Sequence, residues 1–342
     1  MTTSYLSTPA AHQRILSWFA EARRPFPWRD PRTNAWGVLV SEVMSQQTPM
    51  TRVEPLWRDW MERWPHPSDL GKEPTAEVVR AWGKLGYPRR ALRLRECAQV
   101  VAAQYQDTVP RNVETLLSLP GVGSYTARAV ACFAYGDNVP VVDTNVRRVV
   151  ARVEHGKPDQ GKPREKADLA EVAALLPEDS ATGARFSAAL MEFGALVCTA
   201  RTPRCEECVL SDACAWLAAG KPVWDDDTHG RRPTPQKFTG TDRQVRGLLL
   251  DVVRRHVVHD GKSVRYRPAG GRVFAAASLV LRLTHRGPPR STPSAHLPAG
   301  IAVPVRVVSH PATPYPVPLF SLHRAAPAPH PAVDPAPAGR CP

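Results

Sequence analysis

The run Leu119-Pro120-Gly121-Val122-Gly123-Ser124-Tyr125-Thr126, followed by Val142-Asp143-Thr144-Asn145-Val146-Arg147-Arg148, decides the fold. Leu116, Leu117 and Leu119 close one predicted helix, and Pro120 stops it. Gly121 and Gly123 permit positive φ and leave no Cβ in the way of an approaching partner. A second predicted helix starts near Ser124 and carries Ala127, Ala129, Val130, Ala131 and Phe133. Its first N–H groups are unpaired and sit at the positive end of the helix dipole. They suit a phosphate, so the hairpin fits a nucleic-acid backbone. Asp143 stands at the start of a third predicted helix, where an aspartate is most simply an N-cap.

Outward from the hairpin the pattern stays helical. Ile15, Leu16, Trp18 and Phe19 cluster on one side of a helix over 11–22, which Arg23-Arg24-Pro25-Phe26-Pro27-Trp28-Arg29 breaks. Trp36, Val40, Val43 and Met44 stripe a second helix over 34–48, with Glu42 at the stripe's edge. A glutamate among apolar neighbours has its pKa raised, and a protonated carboxyl is what a general acid needs; the plain alternative is a solvated helix glutamate. Trp57, Trp60 and Trp64 belong to a core helix over 51–64, and Leu85-Gly86-Tyr87-Pro88-Arg89-Arg90-Ala91 leads into a helix ending near Tyr105. Arg89, Arg90, Arg93 and Arg95 read as phosphate contacts or as a solvated face. Residues 156–168 read as a loop, and 182–197 as a helix with Phe186, Leu190 and Phe193 inside. Cys97 and Cys132 are small buried residues in helical patterns. Cys198, Cys205, Cys208 and Cys214 space as C-x6-C-x2-C-x5-C. Four thiolates that close favour iron–sulfur or zinc.

These segments together resemble the base-excision DNA glycosylases of the endonuclease III superfamily, over residues 11 to 215. The resemblance implies an all-α, two-lobed helix-hairpin-helix glycosylase fold. One lobe holds Glu42 and the Gly121-Val122-Gly123 hairpin; the other holds the N-terminal helix and a [4Fe–4S] loop on the four spaced cysteines. Ser41-Glu42-Val43-Met44-Ser45-Gln46-Gln47-Thr48 is similar to the motif of the adenine glycosylase (MutY) branch. There the glutamate protonates the adenine ring and the second glutamine wedges into the base stack. Trp28 and Arg29 match residues that wall the pocket for the extruded base. Tyr87 matches a tyrosine that enters the duplex beside the damaged guanine, with Gln47 and Thr48 on that side too; Pro88 departs from the usual second tyrosine. Tyr125 stands where the lyases of the superfamily carry a Schiff-base lysine, which implies a monofunctional enzyme. Asp143 then faces the positive charge that builds on the sugar, Asn145 helps hold its network, and Glu192 matches a carboxylate that reads the adenine edge. The implied cofactor is a [4Fe–4S] cluster that braces a loop carrying Arg201 and Arg204. The implied partner is double-stranded DNA with A:8-oxoguanine or A:G mispairs, bound by a monomer.

The totals fit this with one qualification. The chain has 342 residues and a formal charge of +13, but eleven basic residues against two acids lie from Arg255 onward, leaving only +4 for residues 1–254. No segment reads as a signal peptide or a bilayer span, so a cytoplasmic, nucleoid-associated protein is expected. In that compartment seven cysteines argue for metal ligation over disulfides. Residues 1–219 form the expected glycosylase domain, 220–240 a linker, and 241–342 a short helix over 241–255 followed by a Pro-, Arg- and His-rich, poorly structured extension. Beyond residue 255 lie sixteen of the 36 prolines and seven of the 11 histidines, a composition poor at building a core. The nucleotide-hydrolase-like domain with which adenine glycosylases read the oxidised guanine has no counterpart there. Three rival readings remain open: a thymine or uracil mismatch glycosylase on the same scaffold, a non-catalytic DNA-binding protein, and a zinc-ribbon interaction protein. Deleting residues 260–342 is expected to leave folding, by circular dichroism, and base excision intact; loss of both would reject this reading of the tail.

Overall fold

The computed structural model describes residues 4–223 and, past them, only positions 239, 241, 244, 245, 247, 248, 251, 257–259 and 264–266. The chain divides into two units, Met1–His285 and Arg286–Pro342, and every described residue belongs to the first.

Side-chain caps set where many of the helices begin. Thr8 caps α1 (Pro9–Ala22) from a position before proline. Asn34 caps α2 (Ala35–Ser45) through a 2.9 Å bond from Gly37 N–H. Helices α3 (Met50–Arg63), α4 (Pro67–Lys72), α5 (Thr75–Trp82) and α6 (Arg89–Gln104) follow. Asn112 then caps α7 (Val113–Leu117), and the hairpin leads to α8 (Ser124–Tyr135). Asp143 caps α9 (Thr144–Val153), and after α10 (Glu165–Ala173) Asp179 caps α11 (Ser180–Leu196). A four-residue helix, α12 (Ala215–Ala218), closes the cysteine loop. Each such cap satisfies N–H groups that a helix start leaves orphaned, worth about 1 kcal/mol.

Two large hydrophobic cores form, with a smaller cluster of Ala129, Cys132, Val141 and Ala184 beside them. The first gathers α2 to α8 around Trp36, Trp57, Trp60, Trp64 and Trp82. Their rings meet edge to face, Trp60 against Trp64 at 4.8 Å and against Trp82 at 5.5 Å. The second joins Ile15 and Phe19 of α1, Val146, Val149, Val150 and Val153 of α9, and Phe186, Leu190 and Phe193 of α11. Cys214 and Trp216 pack into this second core, and Cys198, Cys205 and Cys208 lie against it. Hairpin and cysteine loop therefore belong to separate cores, in the two-lobed, all-α arrangement the sequence implies.

The structure differs from the sequence expectation in four places. The helix expected over 34–48 stops at Ser45, since Gln47 takes a positive φ of 53°. The loop expected to run to 168 ends at Arg164, where α10 begins. Gly121 uses its freedom (φ 78°), but Gly123 lies at φ −96° and needs no positive φ; what it supplies is open space where a Cβ would stand. One antiparallel pair, Val257–His259 with Val264–Tyr266, is the only strand pair among the described residues. Of the helix expected over 241–255, Gln244, Val245, Gly247, Leu248 and Asp251 are helical and the rest lies outside the described residues, as do most of the linker and of the extension. No helix among the described residues is long and apolar enough to cross a membrane.

Glycine at 194 lets α11 meet the first turn of α9. A Cβ there would stand 2.8 Å from Asn145 Cβ and from its carbonyl oxygen. Gly194→Ala is thus expected to destabilise the fold by ~1–3 kcal/mol through overpacking, read as a fall in the urea midpoint; an unchanged midpoint would show that the two helices part at no cost.

Candidate active site

Residues of both cores line one cleft of about 1460 Å³. That exceeds the roughly 300–1,000 Å³ of an ordinary small-ligand site. Trp28, Arg29, Glu42, Gln47, Thr48, Tyr87, Tyr125, Asp143, Asn145 and Glu192 all border it. Gly121 and Val122 do not; with Arg89, Arg93 and Cys97 they line a smaller hollow of about 160 Å³ behind the hairpin. Gly123 borders neither.

Glu42 is only 8% exposed on α2. One carboxyl oxygen, Oε2, is buried without a hydrogen-bond partner. Burial drives its pKa up to about 7, and the charge of Asp143 adds to the rise; the Tyr125 hydroxyl and Arg29 oppose it. That hydroxyl also lies 3.5 Å from Met191 Sδ, and burial, Glu42 and Asp143 raise the pKa of Tyr125 itself. The group facing Glu42 is thus a neutral phenol.

Asp143 is both cap and cleft wall. Its Oδ1 accepts from the N–H groups of Asn145 and Val146, each at 2.8 Å, and its Oδ2 accepts from Asn145 Nδ2 at 2.6 Å. Burial raises its pKa, while these donors and Arg148 pull the other way. Arg148 donates to Asn145 Oδ1 at 2.8 Å and to the carbonyls of Gly194 and Cys198, each at 2.7 Å. The carboxylate therefore connects, through Asn145 and Arg148, to the backbone of the cysteine loop.

Glu192 is 1% exposed and has the opposite environment. Arg24 donates to it from its backbone N–H, Nε and Nη2, and Arg29 from both terminal nitrogens, over 2.7–3.1 Å. Against the penalty of burial, the two guanidinium groups lower its pKa to about 2. Both its oxygens are engaged, so its contribution in this structure is to fix Arg24 and Arg29 at the cleft. Arg29 also lies 5.2 Å from the Phe26 ring, and Phe26 stacks on Trp28 at 4.9 Å.

Sequence reasoning passed over several of these groups. Arg24 was legible only as part of a helix break, and Arg148 only as the end of a quoted motif. Arg90, read as a phosphate contact or part of a solvated face, points inward to carbonyls at the C-terminal end of α2, and Arg204 donates to the Leu196 carbonyl at the end of α11.

The four spaced cysteines share one loop. Burial, and then the charges of Cys198, Cys214 and Cys205, push the Cys208 thiol up to about 11. Such thiols give up their protons to a metal. Arg152 places Nη1 3.4 Å from Cys198 Sγ and donates to the carbonyls of Thr199 and Ala200. No three His, Cys, Asp or Glu side chains among the described residues sit close enough for a single ion. Four cysteine thiols in one loop, three of them acting on the fourth, are a donor set that fits an iron–sulfur cluster, which Cys198, Cys205, Cys208 and Cys214 would hold. Its chemistry there would be structural, the bracing of the loop.

Comparison with known proteins agrees with this geometry. Residues 40–174 match the family of HhH-GPD superfamily base excision DNA repair proteins, and residues 198–214 match the iron-sulfur binding domain of endonuclease III. The chain is 61% identical over 240 residues to the adenine DNA glycosylase of Mycolicibacterium smegmatis, covering 70% of this chain and 79% of that one. It is 39% identical over 208 residues to the adenine DNA glycosylase of Homo sapiens, covering 58% of this chain and 38% of the human one. Among solved structures, a thermostable thymine-DNA glycosylase superposes with a TM-score of 0.56 at 31% identity, covering 61% of this chain and 95% of that one. A cleft walled by two buried carboxyl groups, a helical hairpin, a four-thiol loop and these likenesses agree: the chain belongs to the adenine DNA glycosylase family of the HhH-GPD superfamily of base excision DNA repair proteins.

Proposed function

We propose that this chain is a monofunctional DNA glycosylase that hydrolyses the N-glycosidic bond of adenine mispaired with guanine or 8-oxoguanine in double-stranded DNA, acting as a monomer. The observation that carries the reading is Glu42, a carboxyl driven to a pKa of about 7 on the same cleft as Asp143. Adenine leaves well only when a ring nitrogen gains a proton, and a carboxylic acid that stays protonated near neutrality can give it. The base must first leave the stack, because its sugar bond is inaccessible inside the duplex.

The step runs as follows. Glu42 transfers its proton to the adenine ring as the bond to the sugar breaks, so the base departs neutral. Positive charge appears on the deoxyribose, and Asp143 as carboxylate either stabilises it electrostatically or captures it. The N–H groups at the start of α9, together with Asn145, hold that carboxylate. Water completes the hydrolysis. Tyr125 offers no amine, so the abasic site stays unbroken. Arg24, Trp28 and Arg29 form the wall for the base, and Gln47, Thr48 and Tyr87 serve the side of its partner. The hairpin at Gly121, Val122 and Gly123 serves the phosphates, with affinity that falls as salt rises.

A thymine or uracil mismatch specificity is the second reading. It is supported by 34% identity over 205 residues to a thymine/uracil-DNA glycosylase of Methanothermobacter thermautotrophicus, covering 59% of this chain and 90% of that one. Single-turnover assays on A:8-oxoguanine, A:G and T:G duplexes separate the two. Adenine should be released from the first two, with no strand break and no borohydride-trapped adduct; release of thymine alone would reject the adenine reading. Glu42→Gln should slow adenine release by ~10²–10⁴-fold, and the wild-type rate should fall as pH rises through about 7, where Glu42 loses its proton.

The same group makes a stability prediction. A folded-state pKa near 7 against the ordinary 4.5 means that the stabilisation is whole below pH 4.5 and lost as pH rises through 7. Glu42→Gln should therefore raise the thermal midpoint at pH 8, by up to about 3 kcal/mol of stability, and change it little at pH 4. Equal shifts at both pH values would show that Glu42 is not titrating as described.

A further inference from the structure

We infer that Arg90 is a positioning residue that holds Gln47 and Tyr87 in the backbone conformation from which both enter a duplex beside the mispair. The inference rests on the proposed function for the nature of that duplex.

Five residues other than glycine take a positive φ among the described residues: Gln47, Tyr87, Gln106, Asp107 and Lys221. Of these, only Gln47 and Tyr87 border the cleft. Both are solvent-exposed, and Tyr87, at 52%, is an aromatic ring left largely in water. A strained backbone under an exposed side chain persists only where neighbouring groups enforce it.

Arg90 supplies that enforcement to both. Its Nη1 donates to the carbonyls of Val43 at 2.9 Å, Met44 at 3.2 Å and Gln46 at 2.7 Å. Its Nη2 donates to Thr48 Oγ1 at 3.2 Å and to the carbonyls of Leu85 and Gly86, each at 3.3 Å. The residues on either side of Gln47, and the two before Tyr87, thus hang on one guanidinium group. Its central carbon lies 5.2 Å from the centre of the Trp82 ring and 5.9 Å from that of Tyr87. A planar, always charged fork can bridge two chain segments in this way, and a lysine ammonium cannot. Placed at the C-terminal end of α2, the charge also meets the negative end of the helix dipole. Both terminal nitrogens are taken up by these acceptors, and Nε is buried.

A plain helix-capping role would make Arg90 matter for stability alone, irrespective of what Gln47 and Tyr87 do. The two can be told apart by the ratio of Kd for a matched A:T duplex to Kd for an A:8-oxoguanine duplex. Fluorescence anisotropy reads it, with 2′-fluoro-deoxyadenosine as the uncleavable adenosine. Arg90→Gln should lower this ratio about tenfold while the matched-duplex Kd moves less than about twofold. Arg90→Lys, which retains the charge and guards against a misfolded glutamine variant, should do the same more weakly. In the Gln47→Ala/Tyr87→Ala background neither substitution should change the ratio further. An equal effect in both backgrounds, or no effect in either, overturns the inference. Release of adenine from the cleavable duplex by the unmodified chain is scored apart, so a failure of the proposed function is not mistaken for a failure of this one.

Discussion

The Asp143 carboxylate is the point on which the arrangement turns. One oxygen closes the first turn of α9 and the other is held by Asn145. The same group forms part of the cleft wall. Helix capping and a buried negative charge normally compete, since burial penalises the charge. Here backbone N–H groups, an amide and the positive end of a dipole offset part of that penalty, while burial still leaves the Asp143 pKa raised. The carboxylate is therefore held in one rotamer by donors on the first turn of α9. Gly194 permits the close packing that keeps that first turn in place.

Two buried glutamates on one cleft illustrate how surroundings decide charge. Glu42 has an oxygen with no partner and titrates near 7. Glu192 is met by two arginines and titrates near 2. Both are glutamates on core-facing helices, and both are nearly inaccessible to water. The difference lies in the donors each one meets. Breaking the pairs to Glu192 would leave a buried charge uncompensated, the costly case for an interior ion. Stability near Glu42 instead falls with the gain of a charge.

Much of this was legible in the sequence, where the governing interactions are local. The cap at Asp143 acts on N–H groups two and three residues away, so pattern and chemistry coincide. The hairpin and the tryptophan core likewise follow from adjacent punctuation and helical periodicity. What stayed hidden was long-range pairing of single polar groups. Arg24 reaches Glu192 across 168 positions, and Arg90 reaches Val43 across 47. No periodicity records such a meeting, and a helix rich in arginine reads as a solvated face whichever way one of its members turns. The early stop of α2 escaped for the same reason, since the clamp that holds Gln46 and Thr48 comes from another helix.

The arginines of α9 also bear on the cysteine loop. Arg148 and Arg152 donate to carbonyls at Cys198, Thr199 and Ala200, and the Arg152 carbonyl lies 3.6 Å from Cys214 Sγ. Those acceptors are in place only once the loop has taken its folded path. The packing of α9 and the path of the cysteine loop are thereby tied together, so a change at Arg148 or Arg152 is felt at the four thiols.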